Sequence, residues 1–235
     1  MRLKFRKKDI PLDFIFSNIA VTYKKNKFLD STMGEIRSFE GLRGYAKAKL
    51  SLKSSLEIII SPNKNNGINL VVSGNNAGEL LRRGKYYKNG YGGMFKASIF
   101  YKNRNKISGS LQIEEFRIKN APVLAQIISS ASIIGLLDTL NGNGLLFTKI
   151  EGSFEYKDGE LTLNDGVAVG PSLGITMAGY ERYGKEQNTV NVNGLVSPVY
   201  IINGVVKAIP FIGKVLGGEK GEGVFGVSYK VQGNS

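Results

Sequence analysis

The sequence predicts a mainly β protein in which a curled antiparallel sheet forms an open groove. Two or three amphipathic or apolar helices are expected to pack at the end or face of this sheet. Three observations support the prediction: apolar and polar residues alternate with a period of two in most segments, turn signals separate these segments, and the composition pairs 30 Gly with only 6 Pro. Many Gly with few Pro is typical of short strands joined by tight turns.

The alternation defines one apolar side of the predicted sheet, because every second residue of a strand points to the same face. It is clearest near the end of the chain. The apolar residues that alternate in this way are Phe154, Tyr156, Leu161, Leu163, Ile175, Met177, Val190, Val192, Phe225, Val227 and Tyr229. These residues are the candidates for the floor of a groove. The pattern does not tell which apolar surface is a groove and which is an ordinary core.

Turn signals and one change of phase refine the strands. The predicted turns are Asn66-Gly67, Asn89-Gly90, Asp158-Gly159 and Asp165-Gly166, of which Asp158-Gly159 indicates a two-residue hairpin. The strand from Gly109 to Lys119 changes phase at Glu114–Glu115, which predicts a β-bulge.

The apolar stretch from Ile10 to Val21 is predicted to be a first strand and not a signal peptide. Asp13 and Asn18 interrupt it, and no small-residue cleavage site follows. Nowhere does the sequence reach the ~18 uninterrupted apolar residues that a spanning helix needs. If the protein works outside the cytoplasm, its export element is expected to lie outside this chain.

Three helices are predicted between the strands. The first has Asn76 as its cap and basic residues in its last turn. The second begins at Asn120-Ala121-Pro122 and ends at Gly142 or Gly144, and the third begins at Ser197-Pro198. The last two each follow a strand directly, which suggests that they close the same end or face of the sheet. Their apolar residues are candidates for contact with a membrane or partner, or for an ordinary core: Ile127, Ile128, Ile134, Leu137, Ile202, Val205, Val206, Ile209 and Phe211.

The net charge of +13 is concentrated in the first half of the chain. Residues 1–110 contain 22 Lys/Arg and 7 Asp/Glu, against 10 and 12 in residues 111–235. Attraction to nucleic acid or lipid headgroups is one explanation, and the amino-acid bias of an AT-rich genome is another. The tract from Arg82 to Lys88 mixes basic and aromatic residues. This composition suits a single-stranded nucleic-acid platform, a headgroup-facing surface or a solvated helix end.

The residue types present argue against an enzyme. The chain has no Cys and no His, which removes thiolate nucleophiles, Cys or His metal sites and His-based triads. Adjacent Glu114 and Glu115 lie on one strand, whose neighbouring side chains point to opposite faces. The acids around the Asp158-Gly159 turn are explained as the solvated face of a hairpin. We therefore expect no catalysis and no cofactor.

An ordered series of short segments resembles a known family. In chain order these segments are Asn75–Leu81, Gly109–Ile113, Lys119–Leu124, Gly142–Phe147, Gly152–Phe154, Gly170–Gly174, Ala178-Gly179, Gly194–Pro198, Ile209–Gly213 and Gly221–Val227. Together they resemble the C-terminal region of the AsmA-like envelope proteins, particularly the large members related to YhdP. The resemblance covers residues 75–235, and residues 1–74 resemble the β-repeats that would continue the groove.

The resemblance implies a function in the bacterial envelope. Proteins of this family are anchored in the inner membrane and face the periplasm, and their groove is linked to phospholipid transport between the two membranes and to outer-membrane integrity. This chain lacks the family's anchor and most of its groove, so it is expected to be a fragment that binds acyl chains. The alternative is a structural module that docks on another envelope protein. Nucleic acid is not an expected partner, and the oligomeric state stays open.

Overall fold

The computed structural model describes residues 13–23, 26–38, 41–64, 67–103, 105–130, 135–184, 186–198 and 226–234. Within them, the chain forms one antiparallel sheet in which each of twelve strands pairs with the next in sequence. The strands are β1 (Asp13–Tyr23), β2 (Asn26–Arg37), β3 (Arg43–Lys49), β4 (Ser55–Asn63), β5 (Gly67–Gly74), β6 (Gly90–Asn103), β7 (Lys106–Ile118), β8 (Leu145–Lys157), β9 (Glu160–Val169), β10 (Leu173–Arg182), β11 (Thr189–Pro198) and β12 (Val227–Asn234). The first and last strands do not pair, so the sheet is open. This confirms the predicted fold class, a mainly β protein with a curled antiparallel sheet and few helices.

The connections between strands lie at two opposite ends of the sheet. In an up-and-down sheet the odd and even connections alternate between ends. The three helices α1 (Ala77–Arg83), α2 (Pro122–Ser130) and α3 (Leu136–Asn141) all lie in connections at one end, which we name the helix end. The other end, which includes the β8–β9 turn, is the hairpin end. Among the described residues no helix is long and apolar enough to cross a membrane.

Two local predictions from the sequence are confirmed in detail. At the β8–β9 turn, Asp158 and Gly159 have φ angles of 48° and 87°, as a two-residue turn with both central residues left-handed requires. In α1, the Asn76 side chain accepts a 2.9 Å hydrogen bond from the backbone N–H of Glu79, and Arg82 and Arg83 occupy the last turn. The predicted start of the third helix is wrong, since Ser197 and Pro198 are the last residues of β11. The rest of that predicted helix, and Phe225, fall in residues 199–225, which lie outside the described residues.

The second predicted helix is two helices and not one. The described parts, α2 and α3, are separated by a break at which Gly135 has a φ of 85°. A left-handed residue cannot continue a right-handed helix, and Gly adopts this conformation without steric cost. The predicted end of the segment is confirmed, because the Gly142 N–H bonds to the Asp138 carbonyl 2.8 Å away at the end of α3.

The prediction of a turn at Asp165-Gly166 is wrong, since both residues lie inside β9. The β8–β9 register shifts between Glu151 and Phe154, which leaves a gap in the ladder. The Asp165 carboxylate fills this gap by accepting a 2.7 Å hydrogen bond from the Ser153 N–H. A short acidic side chain can satisfy a backbone donor within an irregular strand as well as at a turn.

The predicted change of phase in β7 is confirmed. Ile113 and Phe116 are both buried although they are three positions apart, and Glu115 between them has a φ of 56°. The paired strand β8 changes phase at the same level, because Phe147 is buried and Thr148 and Lys149 are both exposed. No register shift occurs between β7 and β8 at this point, so the irregularity is shared by both strands and is not a bulge of one strand alone.

Among the described residues, the fully packed interior lies at the helix end and consists of two clusters. Cluster 1 lies under α1 and comprises Leu29, Ala48, Leu50, Leu56, Ala77, Phe95, Ile113 and Phe116. Cluster 2 lies under α2 and α3 and comprises Ile128, Leu140, Leu145, Phe147, Ala168, Leu173, Ile175 and Val196. The helices thus bury one end of one face of the sheet.

Candidate functional site

The strand registers place an unbroken apolar row across all twelve strands. This row, which we name row 3, consists of Phe14, Ile36, Gly44, Ile60, Leu70, Ile99, Gly109, Phe154, Leu163, Gly179, Val192 and Val231. Each residue is the direct cross-strand partner of the next, so all of them lie on one face of the sheet. At ~4.8 Å per strand the row is about 50 Å long. It contains no charged and no hydrogen-bonding side chain.

Three further rows on the same face run beside row 3. Towards the helix end lie row 1 (Leu56, Gly74, Phe95, Ile113, Ile150, Ala168, Ile175, Val196 and Val227) and row 2 (Ile58, Val72, Ala97, Leu111, Gly152, Gly166, Met177, Gly194 and Tyr229). Towards the hairpin end lies row 4 (Pro62, Ile68, Tyr101, Ile107, Tyr156, Leu161, Glu181, Val190 and Gly233). We call the four rows together the apolar face.

Accessibility changes along the apolar face from the helix end to the hairpin end. Row 1 contributes six residues to the two buried clusters. In rows 3 and 4, by contrast, every residue keeps part of its surface accessible. The same face therefore serves as a sealed core under the helices and as an accessible apolar surface beyond them.

The ten described groove candidates all lie on the apolar face. Phe154, Leu163 and Val192 belong to row 3, and the other candidates are Tyr156, Leu161 and Val190 in row 4, Met177 and Tyr229 in row 2, and Ile175 and Val227 in row 1. Ile175 is buried in cluster 2 and so belongs to the sealed part. Phe225 lies outside the described residues.

The predicted helix residues hold the helices onto the sheet where they are described. Ile128 has no accessible surface and is part of cluster 2, and Ile127 and Leu137 pack against this cluster. The remaining candidates lie outside the described residues: Ile134, Ile202, Val205, Val206, Ile209 and Phe211.

The candidates chosen from the sequence missed half of the apolar face. Strands β4 to β7 contribute residues such as Ile60, Leu70, Ile99 and Leu111 to the same rows. The signal was present, because Leu56, Ile58 and Ile60 alternate with polar or exposed neighbours. Only the register shows that these strands continue the surface formed by the later ones.

The opposite face of the sheet carries ion pairs and also exposed apolar side chains, among them Ile15, Tyr45 and Ile59. Lys47 and Glu57 are 3.1 Å apart across β3 and β4, and Arg182 and Glu160 are 2.7 Å apart across β9 and β10. Glu155, predicted to be part of a solvated hairpin face, lies 3.7 Å from Lys106. Exposed pairs of this kind contribute little stability, roughly 0–1 kcal/mol each.

Glu181 is the only charged residue among the four rows. It lies in row 4 at the hairpin end, where the Tyr183 hydroxyl donates to its carboxylate at 3.1 Å and the Asn188 side-chain amide donates at 3.4 Å. The Tyr183 ring centroid is 6.2 Å from that of Tyr156. The apolar face therefore ends in a polar rim at the hairpin end.

Tyr229 crosses a neighbouring strand to bond the one beyond it. Its direct partner on β11 is Gly194, and its hydroxyl donates a 2.8 Å hydrogen bond to the Thr176 carbonyl on β10. A Cβ atom at Gly194 would lie 2.8 Å from this hydroxyl and closer still to the Thr176 carbonyl oxygen. Gly194 thus leaves the space that the aromatic ring needs. Burial raises the pKa of the Tyr229 hydroxyl to about 12.

The raised pKa of Tyr229 predicts a loss of stability at alkaline pH. The phenol titrates near 10 in the unfolded chain and near 12 in the folded one, so the folded state keeps its proton longer. The resulting stabilisation is fully present below pH 10 and is lost as pH rises through 12; partial solvation limits it to at most about 2 kcal/mol. Urea unfolding followed by circular dichroism should show a smaller alkaline loss for Tyr229→Phe than for the wild type. Equal losses would contradict the assignment.

Comparison of the chain with known proteins gives no match: no protein-family model, no curated protein and no solved structure is similar to it. The relationship to the AsmA-like envelope proteins therefore stays a prediction from the sequence. What the described residues provide is a surface, about 50 Å long by strand spacing, that is apolar, open on one side and closed by helices at one end.

Proposed function

We propose that this chain is a non-enzymatic lipid-binding module whose apolar face holds phospholipid acyl chains. The observation that supports this most strongly is row 3, in which twelve successive apolar residues all remain accessible. A soluble protein that had only to fold would gain by burying such a row. Accessible apolar surfaces of this size mark binding sites for other apolar molecules.

The energetics favour a hydrocarbon ligand. An acyl chain gains ~0.8 kcal/mol for each CH₂ group that leaves water for an apolar surface. Rows 2, 3 and 4 run in parallel across the strands, and cross-strand neighbours such as Phe154 and Leu163 provide continuous apolar contact. A chain sliding along such a row exchanges one apolar contact for another, so no step exposes it fully to water and no cofactor or nucleotide is required.

The wider setting that we propose follows the resemblance to the AsmA-like proteins. The chain would be part of a periplasm-facing conduit that is associated with the inner membrane through a segment outside it. It would contribute to phospholipid transport between the inner and outer membranes and to outer-membrane integrity. An open sheet suits a conduit, because further strands paired with the free edge of β1 or of β12 would lengthen the apolar surface.

The same open edges favour a second candidate, a structural module that docks on another envelope protein. An exposed edge strand presents backbone N–H and C=O groups that can pair with a strand of a partner. In that case the apolar face would be covered by protein and not by lipid. The two functions differ in what occupies rows 3 and 4.

Native mass spectrometry tests the lipid function. Protein purified from a bacterial host without detergent is expected to carry phospholipid, which appears as a mass increase that organic extraction removes. Lipid that is absent from repeated preparations of folded protein would contradict the proposal. A complex with a second polypeptide and no lipid would favour the docking module.

A further inference from the structure

An open cavity of about 780 Å³ lies at the helix end, between the loop after α1 and the loop from β7 to α2. The residues that line it are Arg82, Lys85, Tyr86, Tyr87, Lys88, Asn89, Asn120 and Pro122. Three of them are cationic and none is acidic. The volume is within the range of small-molecule sites, roughly 300–1,000 Å³.

Hydrogen bonds between the two loops fix the walls of this cavity. The Tyr87 hydroxyl donates to the Lys119 carbonyl at 2.8 Å, and the Lys119 N–H donates to the Asn89 carbonyl at 3.0 Å. The Asn89 side-chain amide donates in turn to the Asn120 carbonyl at 3.4 Å. Because the loops are tied together, their backbones are held in place before any ligand arrives, which lowers the entropic cost of binding.

A fourth cation lies close to the cavity. The Tyr91 ring has Arg82 at 5.3 Å and Lys119 at 5.7 Å from its centroid, so cation–π contacts hold two positive charges beside one ring. Among the residues that the structure describes, neither these two nor Lys85 and Lys88 form a salt bridge.

The charge of the neighbouring Arg83, unlike the charges around the cavity, is neutralised by acidic side chains. Arg83 lies 2.9 Å from Asp30 and 3.4 Å from Glu79. Its charge is therefore balanced within the protein, whereas the charges around the cavity produce a positive potential that attracts an anion. The α2 helix adds to this potential, since it begins at Pro122 on the cavity wall and has no acid in its first turn.

We infer that this cavity binds a phosphate group, and that the phosphate is the headgroup of an anionic phospholipid. The headgroup assignment rests on the proposed function, whereas phosphate recognition does not. Lys85 and Lys88 supply charge to the phosphate oxygens and Arg82 supplies its guanidinium group. Tyr86, which is 72% exposed, is an aromatic side chain suited to the headgroup region of a bilayer. The basic residues surround a single cavity, whereas a nucleic-acid strand requires a basic groove several nucleotides long.

Vesicle binding by the double variant Lys85→Gln/Lys88→Gln tests this inference. Two lysines that contact an anionic surface contribute about 1 kcal/mol each, so binding to mixed phosphatidylglycerol–phosphatidylcholine vesicles should weaken about 30-fold. Binding to phosphatidylcholine vesicles should stay unchanged. The matched control is Lys64→Gln/Lys102→Gln, which removes the same charge from two exposed lysines near the hairpin end and should leave both affinities near those of the wild type.

Calorimetry with glycerol 3-phosphate identifies the source of the phosphate. One outcome is that the wild type binds this soluble probe and the Lys85/Lys88 variant does not, while the wild type shows no preference for phosphatidylglycerol vesicles. That result supports phosphate recognition and assigns a soluble ligand. An equal loss of vesicle binding in both double variants overturns the inference, because it shows diffuse attraction. If the wild type prefers a single-stranded oligonucleotide and the Lys85/Lys88 variant loses this binding, the inference is overturned in favour of nucleic acid.

The same measurements separate this inference from the proposed function. If the protein carries lipid but its headgroup preference does not depend on Lys85 and Lys88, the inference fails and the lipid function stands. If the protein carries no lipid but glycerol 3-phosphate binding depends on both lysines, the lipid function fails and phosphate recognition stands.

Discussion

On the proposed lipid function, replacing Val192 by glutamate is expected to abolish lipid binding while the sheet stays folded. Val192 lies in row 3 between Gly179 and Val231 and is only partly buried, so a carboxylate there can remain hydrated when the face is empty. A bound acyl chain would remove that water. Neutralising the glutamate at pH 7 costs about 3.7 kcal/mol, so affinity for phospholipid should fall about 500-fold or more.

The neighbouring substitution Asn193→Glu is the matched control. Asn193 is next to Val192 on β11 but points to the opposite face, where it is exposed. It adds the same charge to the same strand and should leave both lipid binding and stability near the wild type. Bound lipid is measured by native mass spectrometry and folding by circular dichroism. An unfolded Val192→Glu protein would show that row 3 is an ordinary core, and a folded one that retains its lipid would show that the lipid lies elsewhere.

Replacing Phe147 by alanine is expected to cause the largest loss of stability of any change proposed for this chain. Phe147 is 1% exposed and is the cross-strand partner of Phe116, which is 3% exposed. Removing a buried aromatic ring leaves a cavity that the surrounding residues fill only in part. The free energy of unfolding should fall by about 3–5 kcal/mol, measured by urea denaturation.

Met94→Ala is the control for Phe147→Ala. The Met94 side chain is 56% exposed on β6, so its loss should change the free energy of unfolding by no more than about 0.5 kcal/mol. The chain contains no Trp, so circular dichroism or tyrosine fluorescence provides the signal. A loss below about 1 kcal/mol for Phe147→Ala would contradict a packed interior under α2 and α3.

Local features of the sequence predicted local structure well. Asp158-Gly159 specified its turn because both residues tolerate left-handed conformations, and Asn76 specified the start of α1 because its side chain accepts a backbone hydrogen bond. The same reasoning failed at Asp165-Gly166. There the carboxylate bonds to Ser153 on the neighbouring strand, a contact that depends on strand pairing and that no short segment reveals.

The predicted site shows a similar division. Period-two alternation placed Phe154, Leu163 and Val192 on one side of their own strands, and the register confirms that they share a face. The alternation did not show that Ile175 lies in the sealed part and Val192 in the accessible part. Helix packing decides this difference, since α2 and α3 cover the helix end alone.

By itself the sequence determined the fold class, the apolar sides of individual strands and the Asp158-Gly159 turn, because side-chain direction and backbone conformation depend on adjacent residues. The tertiary structure alone decided that these sides join into rows across twelve strands, that the helices seal one end of them, and that Tyr87, Asn89 and Lys119 frame a basic cavity. Each of these features depends on register and packing between residues far apart in the chain. The free energy of those long-range contacts, and not the local preference of a segment, selects each feature.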